Sequence, residues 1–135
     1  MTATIIYQGN LRCNAQHLQS GTSIETDAPT DNKGKGENFS PTDLVCTALA
    51  TCIITTMAIK ATDMGIELKE TKVDVQKHMA TEPRRISKIE VIIILPASVK
   101  IAEKDQIILQ RTGDNCPVVK SLHPDIELKT TYHWQ

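Results

Sequence analysis

The sequence predicts an α+β fold, on three observations. A Ser-Pro pair at 40–41 opens one long, mostly apolar helical stretch. Segments of alternating apolar and polar residues lie on both sides of it. The resulting order is strands, buried helix, strands, helix, strand, without the strict strand–helix alternation of a doubly wound parallel sheet. With 135 residues the chain is long enough for one domain, 1–135, with its own core.

The elements follow in chain order. Ile5 and Tyr7, then Leu11, Cys13 and Ala15, alternate weakly around Gly9-Asn10, a pair that predicts a hairpin. A third short strand is expected over Thr22–Thr26. From Asp27 to Asn38 the chain turns to Pro, Asp, Asn, Lys and Gly, the composition of a mobile surface loop, and Gly34-Lys35-Gly36 reads as loop flexibility. Ser40 then caps a helix with Pro41 at its first position and Asp43 where the macrodipole favours an anion.

Leu44, Val45, Ala48, Leu49, Cys52, Ile53, Thr56 and Met57 recur at helical spacing, with Thr47, Thr51 and Thr55 opposite. A helix apolar over most of its circumference is expected to be buried, running to Met64 before a Gly65 cap. Beyond it, Glu67–Met79 alternates as a strand with one wet face, Glu82-Pro83 turns the chain, and Ile86–Leu95 is a β-branched, more buried strand. Val99–Thr112 reads as a surface helix, Asn115–Leu122 as a short helical turn, and Ile126–Trp134 as a last strand.

Composition excludes several functions. Fifteen Lys and Arg against 16 Asp and Glu leave a net charge of -1, without the cationic face that binding nucleic acid requires. Aromatics are 3% of the chain, too few for a base-stacking platform. The longest apolar cluster, Val91–Leu95, has strand length, so no membrane crossing is expected, and the start lacks a signal-peptide pattern. A cytoplasmic protein is therefore expected, with its four cysteines as thiols rather than structural bridges.

Cysteine is the residue type to follow, since its thiolate is both nucleophile and metal ligand. Cys46 and Cys52 share the long helix but stand roughly 9 Å apart along its axis, too far for a disulfide. Cys116, in Asp114-Asn115-Cys116-Pro117, is free to meet a cysteine elsewhere. The scatter of cysteines at 13, 46, 52 and 116, with no C-x-x-C or H-x-x-x-H, argues against zinc. No phosphate-binding loop or G-x-S-x-G elbow occurs. Taken alone, Cys13, Cys46 and Cys52 read as small packed hydrophobes, the four histidines as solvated residues, and Arg84-Arg85 as a solvated charge pair.

Two motifs change the reading of the thiols. Phe39-Ser-Pro-Thr-Asp-Leu-Val-Cys-Thr-Ala-Leu-Ala-Thr-Cys52-Ile resembles the OsmC/Ohr family (osmotically inducible protein C and organic hydroperoxide resistance protein), and Asn115-Cys116-Pro117-Val118 is similar to that family's Cys-Pro segment. With the order of elements, the resemblance covers nearly the whole chain. It implies an intertwined α+β homodimer, with a six-stranded sheet from each chain, antiparallel sheets being wrapped around long buried central helices. The implied activity is that of a thiol-dependent peroxidase acting on organic hydroperoxides, with Cys52 peroxidatic and Cys116 resolving. It needs no metal or organic cofactor, and an unknown thiol reductant would restore it.

An apolar face lined by Leu49, Ile53 and Thr56 would favour a substrate with a hydrocarbon tail. Cys52 lies too far along its helix to be ionised by the macrodipole, so a cation from another element is expected. In the family an N-terminal Arg held by an acid fills that role. Arg12 is the candidate here, with Arg85 as runner-up. Where the hydroperoxide branch has Asn-Pro-Glu, this chain has Ser40-Pro41-Thr42, and Asp43 is the candidate acid, matching the acidic-Leu pair of the generic OsmC-like branch. The alternatives are a non-enzymatic dimer that binds a small apolar ligand, and a thiol redox sensor.

Overall fold

The computed structural model describes residues 1–134, which divide into two compact units with the sequence boundary between Val45 and Cys46. In the first, β1 (Ala3–Gly9), β2 (Arg12–His17) and β3 (Ser23–Asp27) form an antiparallel sheet in the order β1-β2-β3. The β1–β2 hairpin turns at the predicted Gly9-Asn10 through three left-handed residues, Gly9, Asn10 and Leu11. The loop that follows is less free than its composition suggests. It holds a single 3-10 turn at Thr30–Asn32, and Gly34 passes so close to Ala28 that a Cβ there would overlap the Ala28 carbonyl. Gly34 is thus required by close packing of two backbone segments.

Helix α1 spans Pro41–Asp63, one residue shorter than expected. Its start is a reciprocal capping box: the Asp43 N–H donates to Ser40 Oγ (3.1 Å) and the Ser40 N–H donates to Asp43 Oδ2 (2.9 Å). At the other end Gly65, at φ 71°, lets the Ile66 N–H reach back to the Ala61 carbonyl (2.8 Å).

In the second unit, β4 (Lys72–Thr81), β5 (Arg84–Ile94) and β6 (Glu127–His133) form a sheet in the order β4-β5-β6, and α2 (Glu103–Gly113) and α3 (Pro117–Ser121) connect β5 to β6. Two features of this sheet differ from expectation. The β5–β6 pair is parallel, because a crossover of two helices returns the chain in the same direction. The described strands also make two three-stranded sheets rather than one of six. β4 starts later than predicted, since Glu70 is left-handed (φ 66°) and the Thr71 N–H closes a turn onto Leu68. α2 also starts late, after a turn from Val99 to Pro96.

All buried apolar side chains among the described residues belong to the second unit, where Cys46, Leu49, Ile53, Met57 and Ala61 of α1 meet Ile89, Val91 and Ile93 of β5 and Leu109 of α2 in one cluster. Within one chain α1 is buried on one face, while Ala48, Thr51, Thr55 and Ile59 are exposed, Ile59 at 64%, so a single chain does not cover the helix all round. The expectation about membrane crossing needs correction, because α1 is long and apolar enough by length and composition to cross one. In this fold it is a core helix, packed along one face.

Candidate thiol site

Cys52 stands midway along α1 and Cys116 immediately before α3, and the fold brings the two thiols near enough to act on each other's acidity, neither in a disulfide. Three local features place them. Cys52 lies one residue from the buried Ile53, so its sulfur sits at the edge of the packed face, half-exposed. Pro117 opens α3 without an N–H to satisfy, and the Cys116 N–H turns back to the Gly113 carbonyl (3.1 Å). Gly113 lies so close to α1 that a Cβ would meet Met57 Cγ at 2.9 Å and Ile53 Cγ2 at 3.0 Å, so the end of α2 and the cysteine after it rest directly on the helix that carries Cys52.

The two thiols are driven apart in acidity. Burial raises the Cys52 thiol, but the Val118 N–H, the Cys116 thiol and the Thr56 hydroxyl outweigh it and leave Cys52 below the ordinary thiol value. Thr56, one turn on in α1, places its Oγ1 3.9 Å from the Cys52 sulfur. Cys116, fully buried, is pushed up chiefly by burial, and proximity to Cys52 adds to the rise. The pair thus holds one thiol prepared to ionise and one that stays protonated beside it. Every group acting on Cys52 among the described residues of this unit is neutral. Arg85, the runner-up cation, donates instead to the carbonyl of Ile86 (3.1 Å).

Arg12, the other predicted cation, is held in the first unit by carboxylates that sequence reasoning missed. Its Nε and Nη2 donate to Asp27 Oδ1 (2.7 Å) and Oδ2 (2.9 Å), and Nη2 also donates to Glu37 Oε2 (2.6 Å). Asp27 is 2% exposed and takes two further hydrogen bonds from Asn38. The acid facing Arg12 is thus Asp27, its register partner across β2–β3, while Asp43 joins the α1 capping box. The signal for Asp27 was the register of the predicted hairpins, which composition alone does not supply.

The Arg12 hydrogen bond is the largest influence holding Asp27 down at about 2, and hydrogen bonds from His78, then Lys88, hold Glu90 down at about 2. Both folded values lie below those of unfolded carboxylates, so their stabilisation is complete above about pH 5 and is lost as pH falls toward about 2. Denaturant midpoints should therefore fall across that window, and Arg12→Met should flatten the fall. An identical pH profile in the variant would show that the Arg12–Asp27 pair is not the source.

A cavity of about 290 Å³ lies within the second unit, walled by Leu49 and Ile53 of α1, Ile89, Val119 and Leu128, with Asp114 at its polar side. Of the three residues expected to line one apolar face, Leu49 and Ile53 wall this cavity and Thr56 turns to Cys52. Cys46 is packed in the core and Cys13 sits half-buried on β2. No group of three or more His, Cys, Asp or Glu among the described residues is placed to hold a metal ion.

Comparison with known proteins gives the family. Residues 34–131 match the family model for OsmC-like protein. A protein of Psychrobacter arcticus 273-4, whose name associates it with osmotic stress and detoxification, is 48% identical over 98% of this chain and 96% of that one, with a TM-score of 0.94. An organic hydroperoxide resistance protein OsmC of Legionella pneumophila shares the fold at 12% identity (98% of this chain, 96% of that one, TM-score 0.75). So does the organic hydroperoxide resistance protein OhrB of Bacillus subtilis, at 14% identity (98% of each chain, TM-score 0.68). No curated protein matches the sequence. On the family match over most of its length and this shared fold, the chain belongs to the OsmC-like protein family.

Proposed function

We propose that the protein is a thiol-dependent peroxidase that reduces organic hydroperoxides to alcohols. The observation that carries this reading is the pair of adjacent reduced thiols with opposed shifts, Cys52 below and Cys116 above the ordinary value. The Cys52 thiolate attacks the terminal peroxide oxygen. The O–O bond breaks, the alkoxide leaves and is protonated to the alcohol, and Cys52 becomes a sulfenic acid. Cys116 then gives up its proton and attacks the Cys52 sulfur. The S–S bond forms, the S–O bond breaks, and hydroxide leaves with that proton as water. A thiol reductant from outside the chain restores the pair in the cytoplasm. Arg12 is kept cationic by Asp27 and Glu37, which fits the N-terminal Arg held by an acid that the family resemblance implies.

Two observations support the substrate class and the assembly. The cavity in the same unit is walled by the aliphatic side chains of Leu49, Ile53, Ile89, Val119 and Leu128, which give a hydrocarbon tail contacts that hydrogen peroxide cannot make. Two relatives of the same fold are named for organic hydroperoxide resistance. The first unit exposes Ile5, Ile6, Tyr7 and Ile24, with Ile6 at 63%, and α1 exposes Val45 and Ile59. Apolar surface on that scale requires a cover, and a second copy of the chain supplies it. The protein should therefore sediment as a dimer at micromolar concentration; a monomer there would contradict the assembly.

The deciding experiment titrates the reduced protein with cumene hydroperoxide and with hydrogen peroxide, counting thiols lost. Two thiols per chain should be consumed, faster with cumene hydroperoxide, and no loss of thiols would end the peroxidase reading. In Cys116→Ser one equivalent should still react and leave Cys52 as a sulfenic acid that dimedone traps. The same intramolecular disulfide mass in that variant would count against Cys116 as the resolving thiol. The cavity favours a second reading, a dimer that binds an apolar ligand without turnover, which would show ligand uptake with all thiols intact.

A further inference from the structure

We propose that Tyr132, through its hydrogen bond to Asp114, is a positioning residue that holds Cys116 against Cys52 and so sets the rate of disulfide closure; this rests on the peroxidase reading above. Cys116 belongs to the short irregular link between α2 and α3, and its nearest backbone bonds are local. The Asn115 N–H donates to Thr112 O (3.3 Å), the Cys116 N–H to Gly113 O (3.1 Å), and the Lys120 N–H to Cys116 O (3.2 Å). Such bonds move with the link and cannot fix where it stands relative to α1. Position comes from long-range ties. One is the seating of Gly113 on Ile53 and Met57. Another is the Tyr132 hydroxyl, which donates to Asp114 Oδ1 at 2.7 Å from β6, 18 residues away.

Tyr132 is suited to the task because it is itself held. It pairs with Ile93 in the parallel β5–β6 ladder, and its ring stacks on Trp134 with centroids 5.6 Å apart and planes inclined by 5°. Burial and the Asp114 carboxylate keep its hydroxyl protonated, so it remains a donor. The tie ends two residues before Cys116, on a side chain that also borders the cavity.

Closure is the step that needs this precision. The Cys116 sulfur must reach bonding distance of the oxidised Cys52 sulfur as the S–O bond breaks, and misplacement by about 1 Å can cost about 100-fold in rate. Capture of peroxide by Cys52 asks for no such alignment between the two cysteines. Loosening the tie should therefore change the fate of the sulfenic acid, which a loss of stability alone would not do.

The test is a single turnover of the reduced full-length protein with one equivalent of cumene hydroperoxide, quenched with dimedone at intervals. Wild type should pass to the disulfide with little adduct; absence of any oxidation there would refute the peroxidase reading rather than this one. Tyr132→Phe, which keeps the ring and loses the donor, should slow disulfide closure at least tenfold and raise the ratio of Cys52 adduct to disulfide accordingly. Asp114→Ala should do the same, whereas Asp114→Asn, which keeps an acceptor for the hydroxyl, should restore closure to near the wild-type rate. Should Tyr132→Phe fail to fold, the Asp114→Ala and Asp114→Asn pair makes the same comparison. Closure at the wild-type rate in the Phe or Ala variant, or equal slowing in Ala and Asn, would overturn the proposal.

Discussion

Cys52→Ser should abolish the consumption of cumene hydroperoxide while leaving the fold intact. The substitution changes sulfur to oxygen at a half-exposed position at the edge of the packed α1 face, so little packing is lost. What it removes is the nucleophile: a serine hydroxyl is far less acidic than a thiol and stays un-ionised beside the Thr56 hydroxyl and the Val118 N–H, the groups that lower the Cys52 thiol. Cys116 does not substitute, since it is fully buried and its thiol is pushed upward. Loss of at least 1,000-fold is expected, on the order of 4 kcal/mol of barrier. The check is the initial rate of peroxide loss, with circular dichroism confirming the fold. Retained activity would move the chemistry away from this sulfur.

The largest expected change in stability follows from the contact of α2 with α1. Met57→Ala should destabilise by about 2–5 kcal/mol, since Met57 is fully buried and its loss leaves a void. Gly113→Ala should cost about 1–3 kcal/mol, because the added methyl meets Met57 Cγ at 2.9 Å and Ile53 Cγ2 at 3.0 Å. The double variant should be destabilised by less than the sum, as the new methyl enters space that Met57 vacates. Urea denaturation at one fixed protein concentration measures all three, and strict additivity would show that the two side chains do not share that space.

The legible parts of the fold were those in which a few neighbouring residues decide the backbone. Ser40, Pro41 and Asp43 specify the start of α1, since cap, proline and acid all act within one turn. Gly9-Asn10 specifies a hairpin, and Cys116-Pro117 a helix start. The candidate thiols were legible as motif positions, and the fold brings that pair together. The ends of β4 and α2 were misplaced because turns at Glu70 and at Pro96–Val99 override the hydrophobic pattern.

The sequence by itself determined the class of the fold, the central helix and its cap, and which two sulfurs to watch, because each rests on residue type and short spacing. Only the tertiary structure decided that Asp27 faces Arg12, that Cys52 is acidified within its unit by an N–H, a thiol and a hydroxyl, that β6 runs parallel to β5, and that Tyr132 reaches Asp114. Each of these depends on strand register or on helices resting on one another. A contact between residues 15, 18 or 64 positions apart is set by the packing of the whole unit, and no local pattern records it.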